Sequence, residues 1–245
     1  MKNALILTFV IASSFSVTAN EHSQDWGYEG LTGPEHWGSL SPDYALCQTG
    51  KNQSPVNIRN VLKTNQNKLL LNFKAGRQQI INNGHTIQVN MVGGNSMKLD
   101  DKIFTLQQFH FHAPSENEID GKNYPLEGHF VYKDETGSLA VLALMFQDGN
   151  ENSELAKVLQ KLPARVSQSA SLKQEVDIKA MLPENLAFYR FSGSLTTPPC
   201  SEGVVWMVLE EPVSASHEQI ERFKDVLHNA NNRPTQPLNG RVIIN

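Results

Sequence analysis

Residues 107–112 read Gln-Gln-Phe-His-Phe-His, and residues 127–131 read Glu-Gly-His-Phe-Val. Successive side chains on a strand leave opposite faces, so Gln108, His110 and His112 share one face while Phe109 and Phe111 take the other. The second stretch groups Glu127, His129 and Val131 in the same way. Polar and aromatic residues alternating at period two describe strands with one side for a core and one for chemistry. If the two strands pair, three imidazoles meet on one face.

Outward from this pair, short apolar or alternating runs occur at 69–73, 86–91, 106–112, 129–132, 139–146, 203–209 and 241–244. Gly, Asn, Asp and Pro separate them, as turn residues separate strands. Helical spacing occurs twice. Leu155, Val158, Leu159 and Leu162 fall on one face of a helix beginning near Ser153. Ile220, Phe223 and Leu227 do so behind Ser216 and Gln219, which stand at capping-box spacing. Many strands and few helices predict a mainly β (α+β) fold. No repeat, low-complexity segment or Gly/Ser/Pro-rich linker divides it, so residues 20–245 read as a single domain.

The first residues read as a segment to be removed. Lys2 precedes an apolar run over 4–15 and then Val17-Thr18-Ala19. A positive start, apolar middle and small-residue end make a secretory signal peptide over residues 1–19. The run is shorter than the roughly 20 residues a membrane-spanning helix needs. The 245 residues leave, after cleavage, enough chain for one domain with a sizeable core. The 21 Lys and Arg, against 25 Asp and Glu, form no basic block, which argues against nucleic acid or an anionic membrane as partner. An exported protein, periplasmic or extracellular, is the expectation. Its two cysteines, Cys47 and Cys200, would form a disulfide after export and remain thiols in a cytosol.

Neutral imidazoles suit Zn²⁺, and three of them leave a fourth position for water, the mark of a catalytic rather than a structural zinc. Ligating histidines pass their other N–H to a carboxylate, amide or carbonyl. Gln108 and Glu127, each two residues before a histidine and on its face, are placed to receive it. A His-x-His pair alone is weak evidence, because a strand histidine also serves as an ordinary hydrogen-bonding group. His110, His112 and Glu116 further echo the metal motif of cupin oxygenases, but Phe104 and Asn123 stand where that motif expects glycines.

Longer blocks are more specific. Trp26-Gly27-Tyr28, Gly33-Pro34-Glu35-His36-Trp37, Gln53-Ser54-Pro55-Val56-Asn57-Ile58 and Asn82-Asn83-Gly84-His85 come before the histidine strand. Gly193-Ser194-Leu195-Thr196-Thr197-Pro198-Pro199, Arg233-Pro234 and Gln236-Pro237-Leu238 come after it. In these blocks the chain resembles the α-class carbonic anhydrases over essentially all of its length beyond the signal. The resemblance implies a large twisted, mostly antiparallel sheet with short peripheral helices and a Zn²⁺ ion at the bottom of a cone. It implies ligand roles for His110, His112 and His129. Thr196 takes the place of a threonine that accepts a hydrogen bond from the metal's hydroxide and donates one to a glutamate, here Glu116. His85 matches the family's proton shuttle. Val131, Val141, Leu195, Val204 and Trp206 match its apolar pocket for carbon dioxide, with Thr197 beside it. Cys47 and Cys200 match a bridge of exported members, and the likeness to bacterial members leaves a homodimer open. Ala113 and Asn117 depart from the tryptophan and histidine of many animal members, which bears on rate more than on activity.

The activity so implied is reversible hydration of carbon dioxide to bicarbonate and a proton. A histidine with a pKa near ~6.5 suits proton relay at neutral pH, and Asn83-Gly84 before His85 is a turn from which an imidazole could swing. The same zinc site would support ester hydrolysis as a side activity. Loss of a zinc histidine would instead mark a catalytically silent binding module, and all three histidines are present. His22, His36, His217 and His228 are read as ordinary structural or surface residues. Cleavage after Ala19 makes Asn20 the first residue of the exported protein. Intact-mass measurement of exported material checks this, and a chain still beginning at Met1 would contradict it.

Overall fold

The strand Lys102–His112 runs through the middle of the main sheet. The computed structural model describes residues 25–245, so the signal read over 1–19 lies outside the described residues. Along the strand Phe104 and Leu106 are buried at even positions, Phe109 and Phe111 at odd ones. The change of phase is a β-bulge: pairing with Leu126–Lys133 shifts register between Leu106 and Gln108. One extra residue, Gln107, sends every later side chain to the opposite face. All four apolar residues therefore enter one core cluster, and Gln108, His110 and His112 point to the other side of the sheet.

Eleven strands form this sheet. Its main path runs Ser169–Ser171, Arg77–Asn82, Ile87–Val92, Lys102–His112, Leu126–Lys133, Leu139–Asp148, Glu202–Leu209, Phe188–Ser194. Neighbours are antiparallel, except that Glu202–Leu209 and Val213–Ala215 lie parallel to Leu139–Asp148. The expected mostly antiparallel sheet with short helices around it is thus present. Arg77–Asn82 shows no apolar run in the sequence because it buries Gln78, whose amide is satisfied on both sides by the Val176 backbone. The expected strand at 241–244 is a correction. Only Ile244 bridges, to Leu62 and Arg190, while the Arg241 side chain bonds the carbonyls of Leu238, Ser192, Gln53 and Pro237.

Both helices foreseen from spacing form. Ser153–Leu159 buries Leu155, Val158 and Leu159 behind an Asn152 cap and stops before Leu162. His217–Leu227 carries the full capping box between Ser216 and Gln219, and its Phe223 packs on Phe111 with ring centroids 4.7 Å apart. That helix braces the histidine strand from behind. The opposite face of the sheet is covered by Val141, Ala143, Met145, Val204, Trp206 and Val208, and there the functional site opens.

A disulfide joins Cys47 to Cys200, with Cα atoms 5.0 Å apart, and packs against the fully buried Trp37. Among the described residues no helix is long and apolar enough to cross a membrane. The bridge spans 153 residues, and closing so long a loop in the unfolded chain stabilises the fold by about 5 kcal/mol at most in the chain-entropy view. Replacing both cysteines by serine should lower the unfolding free energy by roughly 2–5 kcal/mol. Denaturant titration of the two proteins measures it, and equal midpoints would show that the bridge does not stabilise the fold.

Candidate metal centre

Pairing between Lys102–His112 and Leu126–Lys133 places His129 directly opposite His110, with Glu127 opposite His112. His110, His112 and His129 each bring one ring nitrogen to within 4.8 Å of the others. Among the described residues they form the one cluster of this kind. Each ring uses its second nitrogen differently. Nδ1 of His110 lies 2.8 Å from Gln108 Oε1, and Nδ1 of His112 lies 2.7 Å from the backbone oxygen of Asn231. Nε2 of His129 stands 3.0 Å from Glu127 Oε1. The nitrogens left over are Nε2 of His110 and His112 and Nδ1 of His129, and these face one point.

The carboxylates around the triad are held by backbone and amide donors. Glu127 accepts from the amides of Glu116 and Asn117 at 2.7 and 2.9 Å and from Asn117 Nδ2 at 2.8 Å. Burial raises its pKa, but His129 and the Asn117 donors more than offset this and leave it lowered. Glu116, an ordinary surface acid by its sequence context, is 1% exposed. Its Oε1 accepts from the Arg233 amide at 2.8 Å, while Oε2 has no hydrogen-bond partner and lies 3.5 Å from His112 Nε2. Burial pushes Glu116 up to about 7 against the pull of His129, Arg233 and Thr196. The Thr196 hydroxyl thus acts on Glu116 without forming a well-aligned hydrogen bond to it.

The triad lies in a cavity of about 260 Å³. Val131, Val141, Leu195 and Trp206 supply its apolar wall, with Thr196 and Thr197 beside them. Trp206 is fixed by donating to the Ser194 carbonyl at 2.9 Å and meets His129 edge-on, centroids 5.0 Å apart. A Cβ on Gly193 would collide with Ser54 and Trp206, so only glycine admits this approach. Val204 is 2% exposed and packs in one cluster with Val141, Phe191 and Trp206. The larger indole on the same strand face takes the place next to the histidines.

At the mouth, His85 is half-buried and stacks on Trp26, rings 3.7 Å apart and 7° from parallel. Desolvation lowers its pKa below the ordinary histidine value, and Asp25 opposes the shift. Asn83 Oδ1 accepts from the amides of both His85 and Thr86, and Gly84 takes a positive φ of 90°, so the turn is held rather than loose. Sequence reasoning did not single out Asn231, and it assigned no role in the site to Asn117, Arg233 or Trp26. Arg233 is 1% exposed, donates to Gln53, Ser54 and Cys47 and sits 5.6 Å over Trp37. Its place in the Arg233-Pro234 block was a signal; a backbone carbonyl such as that of Asn231 leaves none.

The family model for eukaryotic-type carbonic anhydrases matches residues 32–245. The chain belongs to the carbonic anhydrase family. A carbonic anhydrase of Pectobacterium carotovorum is 60% identical, all of each chain being covered, and one of Klebsiella pneumoniae is 45% identical over the full length of both. The α-carbonic anhydrase of Thermovibrio ammonificans, solved with sulfanilamide, superposes with a TM-score of 0.89 at 48% identity, covering 91% of this chain and 100% of that one.

The donor set fits the metal that this carbonic anhydrase fold implies. Three imidazole nitrogens converge, each ring has a partner on its far side, and His112 Nε2 is buried with no hydrogen-bond partner of its own. An orphaned buried nitrogen is costly unless something occupies the space in front of it. In the metal-free protein burial holds His110 well below, and His112 below, the ordinary histidine range. As pH falls through ~6.5 the unfolded chain therefore binds protons that the folded chain refuses, and stability falls with it. Metal-free protein should thus unfold at progressively lower temperature between about pH 7.5 and 5.5, and His110→Ala should flatten that slope. Parallel slopes in the two proteins would contradict the assignment of low pKa to His110.

Proposed function

We propose that the chain is an exported, single-domain, zinc-dependent enzyme that interconverts carbon dioxide and bicarbonate; the relatives it matches are named carbonic anhydrases. The observation that carries the reading is the convergence of three ring nitrogens at the floor of a cavity with an apolar wall. His110, His112 and His129 would hold zinc, which when bound supplies a Lewis acid that makes a water proton easy to remove near neutral pH.

The chain's own residues supply orientation, exclusion of water and proton movement. Gln108, Glu127 and the Asn231 carbonyl fix the three rings, so the donors need little rearrangement. With Glu116 Oε1 taken by Arg233, Oε2 is the free acceptor toward Thr196. A threonine hydroxyl that donates to Glu116 presents only lone pairs to the reacting water, which fixes the direction of that water's remaining lone pair. Carbon dioxide is small, neutral and apolar, and Val131, Val141, Leu195 and Trp206 offer it a dry wall beside that position. His85, with a pKa below the ordinary value, is mostly neutral at pH 7 and free to accept a proton and pass it to solvent. The Cys47–Cys200 bridge supports export, since disulfides persist in oxidising compartments.

Stopped-flow measurement of carbon dioxide hydration, with zinc quantified in the same sample, tests the reading. About one zinc per chain should be present, and chelation should remove metal and activity together. Thr196→Ala should keep zinc and lose roughly 10²-fold in kcat/KM, the scale of one well-placed hydrogen-bond partner in a transition state. Full activity without metal would overturn the proposal, and wild-type rates in Thr196→Ala would overturn the role of Thr196 and Glu116.

A further inference from the structure

Phe111 stands between the ligand candidates His110 and His112, and its backbone is tied to the turn that carries His85. Thr86 Oγ1 donates to the Phe111 carbonyl at 2.6 Å and accepts from the Phe111 amide at 3.3 Å. The Asn231 carboxamide makes the second tie, its Nδ2 reaching the Phe111 carbonyl at 2.9 Å and the His85 carbonyl at 3.1 Å. Its Oδ1 accepts from the Ala113 amide at 2.8 Å, and its backbone oxygen meets His112 Nδ1. Thr86 and Asn231 are 5% and 2% exposed, so water does not compete for these bonds. Two short polar side chains thus connect the relay turn to the strand segment bearing two of the three imidazoles, with no flexible link between them.

The geometry points to Thr86 and Asn231 as positioning residues for proton relay: they hold the His85 turn in register with the metal position. The inference rests on the reading of His85 as relay. Thr86 lines the cavity, but its hydroxyl is engaged with the Phe111 backbone. The fused unit is rigid because the Thr86 hydroxyl serves as both donor and acceptor to one residue, a pairing that neither valine nor alanine can make. On its outer side the imidazole is seated against Trp26. Backbone register and aromatic seat together define where the ring stands. Transfer through a short water chain depends steeply on that position, since misplacement by about 1 Å can cost on the order of 10²-fold.

Thr86→Val removes the hydroxyl at nearly constant shape. In the zinc-loaded enzyme it should lower kcat by roughly tenfold, within that range, while kcat/KM for carbon dioxide stays close to wild type, because hydration precedes the relay. Small imidazole buffers should restore much of the loss, and Thr86→Ser, which keeps the hydroxyl, should recover most of kcat. A second readout needs no turnover: in metal-free protein the His85 ring protons should be shifted upfield by the Trp26 ring in the NMR spectrum. In Thr86→Val they should move toward the positions of an exposed histidine. Thr86→Ala serves the same two measurements if the valine variant folds poorly. An unchanged kcat together with unchanged His85 shifts overturns the inference. Equal loss of kcat and kcat/KM with loss of zinc also overturns it, by showing that Thr86 supports the ligand strand instead. His85→Ala separates the two levels: wild-type kcat in that variant overturns the relay reading itself, whereas lowered kcat there with wild-type kcat in Thr86→Val overturns only the joint.

Discussion

The antiparallel register between Lys102–His112 and Leu126–Lys133 is the constraint on which everything else rests. It sets His110 opposite His129 and Glu127 opposite His112, so ligands and one supporting acid arise from a single pairing. The bulge at Gln107 is part of that register. Without it, a strand that sends Phe104 and Leu106 into the core would send His110 and His112 there as well. The sheet can have a largely apolar rear face and a chemically active front face only because the phase changes once between them. Phe223 of the last helix then clamps the rear of the same strand, which fixes the height at which the imidazoles stand.

A second layer of order is electrostatic. Arg233, Glu116 and Glu127 are buried charged side chains, and such groups are tolerated only when their hydrogen-bonding capacity is met. Arg233 meets it by donating to the Gln53 side chain and the Ser54 and Cys47 carbonyls; burial still lowers its pKa to about 10. Its backbone amide at the same time holds Glu116. Glu127 is held by Asn117, so the asparagine that departs from the animal pattern bonds directly to the acid beside His129. Glu116 Oε2, His112 Nε2 and His129 Nε2 are buried without a well-aligned hydrogen bond, and the first two lie 3.5 Å apart at the centre of the site. Among the described residues the other buried side-chain atoms without a partner are Tyr28 Oη on the cavity wall and Gln66 Oε1 away from it.

Much of this was legible in the sequence, and the parts that were not share a cause. His110, His112 and His129 were readable because strand alternation is periodic and their partners Gln108 and Glu127 sit two residues away. The capping box of the last helix was readable for the same reason, being a local code with fixed spacing. The bulge at Gln107 was not, because it exists only in relation to a partner strand. Nor was the strand Arg77–Asn82, whose buried Gln78 is paid for by a backbone almost a hundred residues later in the chain. Val204 and Trp206 share a face, and composition alone could not say which of them would stand next to His129. Asn231 acts partly through its carbonyl, an atom that every residue possesses, so its identity carried no mark.

The Cys47–Cys200 bridge also belongs to a wider pattern in which the two ends of the chain close on each other. Arg233 bonds the carbonyl of Cys47, Leu62 pairs with Ile244, and Gln236 bonds the Pro55 carbonyl. The seat of Glu116 and the support of His112 are therefore supplied by residues made last. A nascent chain that has completed the histidine strands still lacks Asn231 and Arg233, so His112 and Glu116 are without the carbonyl and the amide that hold them. The centre is assembled by long-range contacts, which form late and slowly, so competence is an all-or-none property of the finished polypeptide. Shortened translation products would carry every histidine of the triad, with Gln108 and Glu127, but lack the carbonyl behind His112 and the amide that seats Glu116.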